Sequence, residues 1–180
     1  HGVVVLCAGR GFAGSLHDTW TWNGTAWTQQ TIAGPSVRGE HTMVYDSAQA
    51  ALVLFGGFTN TEPSPETWVW NGATGSAWEL RSSSAPTPRA QHAMAYDFGR
   101  GTTVLFGGYA DDGLAYQGDT WERQGTFWTR KAQTGPAKRY FSAMAFDWAR
   151  NNTVLFGGES HVGSDEIFYD DTWVWNGIAW

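Results

Sequence analysis

Three arginines that recur along the sequence are the first candidates for binding chemistry. Arg38, Arg89 and Arg139 follow one another at intervals of about 50 residues, each at the start of a similar segment. A planar guanidinium group binds carboxylates and phosphates through two parallel hydrogen bonds, so a ring of arginines would suit an anionic ligand. Alternatively, each arginine pairs with an acidic residue of its own repeat or caps backbone carbonyls between repeats. We expect this structural role and keep anion binding as the alternative.

Histidine offers metal-binding or acid–base chemistry at two kinds of position. His41 and His92 share the spacing Arg-x-x-His, but the third copy of the segment has Ser142 in that place. A side chain that one copy replaces by serine is better explained by packing than by metal binding, so we expect a structural role. His17 and His161 lie in segments of variable length without a clear partner, and His161 is kept as a candidate binding residue.

Carboxylates in the variable segments form two acidic groups. Asp111 with Asp112 is the first, and Asp165 with Glu166 is the second. Ca²⁺ binds loops rich in carboxylates, but neither group has the spacing of an EF-hand loop. We therefore expect a solvated acidic rim and no cofactor, and keep a Ca²⁺ site in these acidic loops as the alternative. A pair of carboxylates acting as in glycosidases stays open at this point.

Aromatic rings could stack on sugar rings or anchor a protein partner. Phe58 and Tyr109 directly follow paired glycines, and Trp148 is the one tryptophan of the 12 that lies outside a repeated pattern. We expect Trp148 to be at least partly exposed, and Phe58 and Tyr109 are the next candidates. The repeated tryptophans are expected to pack the interior instead of binding sugar.

These candidates are carried by a segment that repeats about every 50 residues. Val-Leu-Phe-Gly-Gly occurs at 53–57, 104–108 and 154–158, with a decayed copy at 5–9. An acidic residue with Thr-Trp follows, then a tryptophan that closes the unit, then Arg-x-x-His-x-Met-x-Tyr-Asp. The glycine pairs lack the Lys-Ser/Thr of a phosphate-binding loop, so we expect them to let the chain turn beside a neighbouring ring. The residues assigned to structural motif positions are Gly56, Gly57, Gly107, Gly108, Gly157, Gly158, Trp20, Trp68, Trp121, Trp173, Trp27, Trp78, Trp128 and Trp180.

Each unit contains short runs typical of β-strands. In the second unit they are predicted at 41–45, 51–55 and 67–70, with a short fourth strand centred on Trp78. Asn-Gly follows the third run in three of the units, which favours tight turns. No segment shows a sustained helical period. Four antiparallel strands in each unit predict the blade of a β-propeller.

The repeats divide the chain into four units. A partial blade at 1–27 holds strands two to four, and complete blades follow at 28–78, 79–128 and 129–180. Three strands in the first unit and four in each of the others predict fifteen strands. The third unit departs from the pattern, because Trp-Glu-Arg-Gln-Gly at 121–125 replaces Trp-x-Trp-Asn-Gly.

The glycine pair, the acidic-Thr-Trp block, the closing tryptophan and the Arg-x-x-His strand together resemble kelch repeats, in the Trp-rich form of bacterial proteins. The resemblance implies an all-β, kelch-type β-propeller with about four blades of four antiparallel strands, the first blade lacking its first strand. Kelch propellers usually have about six or seven blades. The resemblance therefore implies further blades from the same or another chain, and a strand after Trp180 would complete the first blade. It places the variable segments, 10–17, 58–65, 109–118 and 159–170, at one rim.

Composition excludes several classes of function. The chain has 180 residues and a net charge of -6, with Lys131 and Lys138 as its only lysines. Such a chain has no basic stripe for a phosphate backbone, so nucleic-acid binding is disfavoured. No apolar run approaches the roughly 18 residues needed to span a membrane, and no signal peptide is visible in this stretch. The single Cys7 excludes an internal disulfide and a cysteine-based zinc site.

The function expected from these features is that of a non-catalytic scaffold that binds a protein or a glycan through its variable loops. One alternative is an enzyme of the kelch-like propeller type, either sugar-modifying or oxidase-like. The sequence shows no nucleophile–base pair, and the Cys-Tyr crosslink of the oxidases has no clear place here. A second alternative is a structural subunit that completes a ring with other chains, which predicts an oligomer. The resemblance implies an extracellular or cell-surface location, and the acidic loops favour a basic or cation-bridged partner.

Overall fold

Every regular element in the computed structural model, which describes residues 2–12, 14–60, 62–73, 75–82, 84–110 and 116–180, is a β-strand. The strands are β1 (Val4–Gly11), β2 (Gly14–Trp22), β3 (Trp27–Gln30), β4 (Thr42–Asp46), β5 (Ala51–Phe55), β6 (Thr67–Trp70), β7 (Glu79–Ser82), β8 (Ala93–Asp97), β9 (Thr102–Phe106), β10 (Thr120–Gln124), β11 (Phe127–Ala132), β12 (Ala143–Asp147), β13 (Asn152–Phe156), β14 (Glu159–Val162), β15 (Asp165–Phe168) and β16 (Thr172–Trp175). The predicted all-β class is confirmed.

The strands form four main antiparallel sheets in chain order and one extra hairpin. The first sheet is β1-β2-β3, the second β4-β5-β6-β7, the third β8-β9-β10-β11, and the fourth β12-β13-β16. The hairpin β14-β15 stands apart, between β13 and β16. None of these sheets is closed on itself, and each packs a face on the next, which makes the fold propeller-like.

The second sheet shows how well the strand pattern predicts structure. Two of its strands, 51–55 and 67–70, have the predicted bounds, and β4 is shifted by one residue to Thr42–Asp46. The fourth strand begins after Trp78 instead of being centred on it, because that tryptophan turns inward to the neighbouring sheet. The sheets consequently run a few residues past 27, 78 and 128, where the sequence pattern closes each unit.

The strand count differs from the predicted fifteen, because sixteen strands are present in the part of the chain that the structure describes. Three strands of the fourth sheet lie within the given sequence, and its last residues, Asn176–Trp180, form a turn that is closed by a hydrogen bond from the Asn176 amide to the Ala179 carbonyl. The hairpin β14-β15 was not predicted, although Gly163-Ser164 between two strand-like runs is a recognised hairpin signal. Gly163 has φ 64°, as a tight turn of this kind requires.

Neighbouring sheets are joined by the same contacts at each interface. The carbonyl of Arg89 accepts a hydrogen bond from the Gly57 amide at 2.9 Å, and the carbonyl of Arg139 accepts one from the Gly108 amide at 2.9 Å. A Cβ on Gly56 would collide with the Arg89 carbonyl, and φ there is +66°. The glycine pair is therefore a close-approach site for a neighbouring backbone, and the ring of His92 also lies close, with its Cε1 atom 3.1 Å from where a Cβ on Gly56 would be.

Side chains complete these interfaces. Phe55 of the second sheet is fully buried against Met94 and Leu105 of the third, with Trp128 packed beside them. Three of the four closing tryptophans donate the indole N–H to a threonine of the preceding sheet: Trp78 to Thr19 at 3.0 Å, Trp128 to Thr67 at 2.9 Å, and Trp180 to Thr120 at 2.8 Å. Apolar burial and a satisfied indole N–H thus hold the sheets in series.

Candidate functional site

The ends of the strands define two faces of the molecule. In the fourth sheet Ala143 pairs with Phe156, and Asp147 pairs with Asn152, so the segment after Phe156 and the turn after Asp147 lie at opposite ends. We call the end that carries the described residues of the variable segments, 58–60, 62–65, 109–110, 116–118 and 159–170, the loop face. The end that carries the turns between each sheet's first two strands is the turn face.

Five rings meet on the loop face in an aromatic strip that consists of Phe58, Tyr109, Tyr116, Tyr140 and His161. The rings of Phe58 and Tyr109 are 5.7 Å apart, and Tyr109 meets Tyr116 edge-on at 6.0 Å. Tyr116 stacks on Tyr140 at 5.0 Å with an interplanar angle of 11°, and on His161 at 5.7 Å. All five side chains are half-buried. Three sheets therefore contribute to one continuous aromatic surface.

Backbone pairing fixes the base of the strip. Phe58 exchanges both backbone hydrogen bonds with Gly39, and Tyr109 exchanges them with Ala90. Tyr140 is paired in the same way with Glu159, the residue after the last glycine pair. Because these main-chain groups are already paired, a ligand would contact the side chains instead of extending a sheet.

Tyr140 is the most connected member of the strip. Its hydroxyl lies 3.0 Å from Nε2 of His161 and donates a hydrogen bond to the carboxylate of Glu159. Partial burial, this hydrogen bond and the negative charge of Glu159 raise the pKa of Tyr140 well above its usual value. The phenol is therefore protonated at neutral pH. His161 lies opposite Glu166 on the hairpin, which adds a second carboxylate to the group.

Sequence reasoning missed Tyr116 and Tyr140. Tyr140 follows Arg139 at a position that holds Gly39 and Ala90 in the earlier copies, so an aromatic residue among small ones was an available signal. Tyr116 occupies no repeated position. It is placed by its isolated bridge to Tyr109, which no pattern indicated.

The inner edge of the loop face holds three residues in the left-handed region that is rare for side chains other than glycine. Glu40, Gln91 and Phe141 have φ values of 61°, 58° and 55°. The Gln91 amide donates to the Glu40 carbonyl and the Phe141 amide to the Gln91 carbonyl, each at 2.9 Å. Arg10 lies 3.3 Å from Glu40. Such strain persists only where surrounding contacts hold it, and it clusters at functional edges.

The three repeated arginines do not reach this surface. Arg89 is fully buried. Its guanidinium group donates hydrogen bonds to the two carboxylate oxygens of Asp119 at 2.6 and 3.1 Å, and a further one to the Gly107 carbonyl at 3.0 Å. Arg38 with Glu66 and Arg139 with Asp171 repeat the arrangement. The hydrogen bond from Arg139 lowers the pKa of Asp171 to about 2. These guanidinium groups bind carboxylates and carbonyls inside their own units and form no ring for an external anion.

The two repeated histidines lie between sheets. His92 is buried with its ring edge-on to Phe55 at 5.3 Å, and neither of its ring nitrogens has a hydrogen-bond partner. Burial lowers the pKa of His92 far below its usual value and that of His41 to about 4. Both rings are therefore neutral packing groups at neutral pH. Among the described residues, no group of three or more His, Cys, Asp or Glu side chains is placed to hold a metal ion.

The remaining candidates are spread over the molecule. Trp148 is 69% exposed and stacks on Phe98 at 4.2 Å, but it lies on the turn face, away from the strip. Asp165 and Glu166 are exposed on β15. Asp111 and Asp112 lie outside the described residues. The structure thus unites Phe58, Tyr109 and His161, and it separates them from Trp148.

Four antiparallel sheets packed in series define an all-β, propeller-like protein. No family model matches the chain, and no curated protein matches it. Among solved structures it is similar to YjhT, a β-propeller-type protein, with a TM-score of 0.77 and 14% identity. The likeness covers 97% of this chain and 66% of that chain, so this chain spans about two thirds of YjhT. At this identity the likeness concerns the fold alone. No helix in the described part of the chain is long and apolar enough to cross a membrane.

Proposed function

We propose that this chain is a segment of a kelch-type β-propeller and acts as a non-catalytic scaffold that binds a protein or a glycan through its loop face. The four repeated motifs and their spacing support the kelch type and a count of about four blades. The resemblance to Trp-rich bacterial kelch repeats supports an extracellular or cell-surface location, and the acidic variable segments support a basic or cation-bridged partner, not a nucleic acid.

The observation that carries the proposal is the aromatic strip. The interior between sheets is already filled by other rings, among them Phe55, Phe106 and Trp175. The strip is therefore aromatic surface that the packing between sheets does not use. It is partly open to solvent, and the hydroxyl groups of its tyrosines are available for hydrogen bonds to a ligand. Rings of this kind carry much of the binding energy at protein interfaces and stack on sugar faces.

A binding screen tests the proposal. The chain is applied to an array of neutral and acidic oligosaccharides and to a displayed random-peptide library, and the hits are compared between variants. Tyr109→Ala and Tyr140→Ala should each weaken binding at least about tenfold, as expected for central aromatic anchors. Trp148→Ala, which removes an exposed ring from the turn face, is the matched control and should leave binding unchanged. Hits that survive both strip variants would place the binding site elsewhere.

An enzyme is the second candidate, and one observation favours it. Glu159, Tyr140 and His161 form a connected chain of hydrogen-bonding groups on the loop face, the arrangement needed to pass a proton to or from a bound sugar. Proton NMR of a sugar panel incubated with the chain would detect turnover. Tyr140→Phe would then abolish turnover while retaining most ring contacts, whereas a pure binder shows no turnover with either form.

A further inference from the structure

Three nearly parallel rings form one part of the aromatic strip, and we call them the platform. Tyr116 stacks on Tyr140 at 5.0 Å and on His161 at 5.7 Å. The rings of Tyr140 and His161 are 6.2 Å apart, with an angle of 19° between their planes. At these distances the rings are offset from one another, so none covers the whole face of its neighbour. All three side chains are half-buried, and part of their aromatic surface is open to a ligand.

Two carboxylates give the platform a negative surrounding. The hydroxyl of Tyr140 donates a hydrogen bond to Glu159, and the negative charges of Glu159 and Glu166 both act on that hydroxyl. Among the described residues, neither carboxylate forms an ion pair with a basic side chain. The face of an aromatic ring is itself negative because of its π electrons. A cation therefore complements both the rings and the carboxylates.

The interior of the molecule already holds a cation in this way. The guanidinium carbon of Arg139 lies 3.7 Å from the centre of the Tyr169 ring, and its Nη2 donates to the Asp171 carboxylate at 3.0 Å. A guanidinium group is flat and weakly hydrated, so it stacks on a ring while its edge donates hydrogen bonds to a carboxylate. At the platform, Tyr140 and Glu159 provide the same two partners, a tyrosine ring and a carboxylate.

We infer that the platform binds an arginine side chain of a protein partner, with the guanidinium plane on its rings and the N–H groups donating to Glu159. This inference rests on the proposed function of the loop face and specifies the chemistry of its ligand. A lysine ammonium group is more strongly hydrated and cannot stack as a plane. A neutral sugar gains nothing from the negative charge around the rings, and an acidic sugar is repelled by it.

Three capped tripeptides test the inference, namely Gly-Arg-Gly, Gly-Lys-Gly and Gly-citrulline-Gly. Citrulline has nearly the shape of arginine but carries no charge. Each peptide is titrated into the intact, isotopically labelled chain, and NMR follows the backbone amide signals of Tyr116, Tyr140 and His161. The arginine peptide should bind at least about tenfold more tightly than the citrulline peptide and several-fold more tightly than the lysine peptide.

Two variants separate the contribution of the charge from that of the ring. Glu159→Gln removes the charge at constant size, and Tyr116→Leu removes a ring but keeps an apolar side chain. Each should weaken binding of the arginine peptide at least about tenfold, and Glu159→Gln should leave binding of the citrulline peptide unchanged. Glu79→Gln removes the same charge from an exposed residue of β7, outside the strip, and is the matched control that should bind like wild type. The same spectra show whether each variant is folded.

Several results would overturn the inference. Equal binding of the citrulline peptide would show that the platform needs no cation, and equal binding of the lysine peptide would show that it does not select a guanidinium group. Absence of signal changes with all three peptides would also overturn it. A glycan from the screen that binds wild type and Glu159→Gln alike would overturn the inference and leave the proposed function standing. Ligands that survive both Tyr109→Ala and Tyr140→Ala would overturn the proposed function as well.

Discussion

His41 makes the stability of this protein dependent on pH in a defined window. Its ring is largely buried near Arg38, and burial followed by that positive charge lowers its pKa to about 4. In the unfolded chain the pKa returns to about 6.5. Between these values the unfolded state binds the proton and the folded state does not, so stability is complete above about pH 6.5 and falls as the pH drops towards 4.

The size of the effect follows from the displacement of the pKa. Each pKa unit corresponds to about 1.4 kcal/mol, so the loss attributable to His41 is about 3 kcal/mol over the window. His92, whose pKa is lowered well below its usual value, contributes with the same sign. Asp119 and Asp171 have lowered pKa values, so their contribution is lost only at more acidic pH, below about 4.

Urea unfolding between about pH 7 and about pH 4.5 measures this dependence. His41→Ser copies the serine that the fourth unit has at Ser142, and it should flatten the pH dependence relative to wild type. His17→Ser changes an exposed histidine and should leave the slope as it is. If the His41→Ser slope matched that of wild type, the ring would be titrating normally in the folded protein, and the argument from burial would be wrong.

Two further predictions concern the contacts inside and between units. Arg89→Lys should destabilise the fold by about 3 kcal/mol, because a lysine cannot satisfy both the Asp119 carboxylate and the Gly107 carbonyl in a buried site. Thermal melting measures this loss. Arg150→Lys, which changes the exposed ion pair with Asp147, is the control and should have no measurable effect. Thr67→Val should cost about 1 kcal/mol by removing the acceptor of the partly buried Trp128 indole N–H. Thr172→Val, which changes an exposed threonine at the equivalent position of the fourth sheet, is the matched control, and an equal loss at both threonines would disprove the role of the indole bond.

The repeated strands could be predicted because a buried strand constrains its own sequence. At 51–55 nearly every residue is enclosed by neighbouring sheets, so apolar residues recur in each copy. The structural role of the glycine pairs could be predicted for the same reason. A positive φ and the close approach of a neighbouring backbone restrict these positions to glycine. The pattern indicates that such a site exists, but not whether a ring or a carbonyl fills it.

Contacts between distant segments could not be predicted in this way. Arg123 is visible in the sequence as a departure from the pattern, but its burial beside Asp46 of the neighbouring sheet, at 3.5 Å, depends on how the sheets stack. The aromatic strip is a similar case. Phe58 and His161 are about a hundred residues apart, and only the packing of three sheets brings their rings into one surface.

The first glycine of each pair has a consequence for how such a protein can be altered. Its amide donates to the carbonyl of the acidic residue that ends the variable segment: Gly56 to Glu66 at 3.1 Å, Gly107 to Asp119 at 3.3 Å, and Gly157 to Asp171 at 3.1 Å. This hydrogen bond, which we call the clamp, holds the first and last residues of each variable segment together whatever the length of the segment. In the fourth unit that clamp accommodates a complete additional hairpin while the sheet keeps its register. Each clamp is consequently an insertion point. Segments of different length can be exchanged between its two residues, in evolution or by protein engineering, without redesign of the interior.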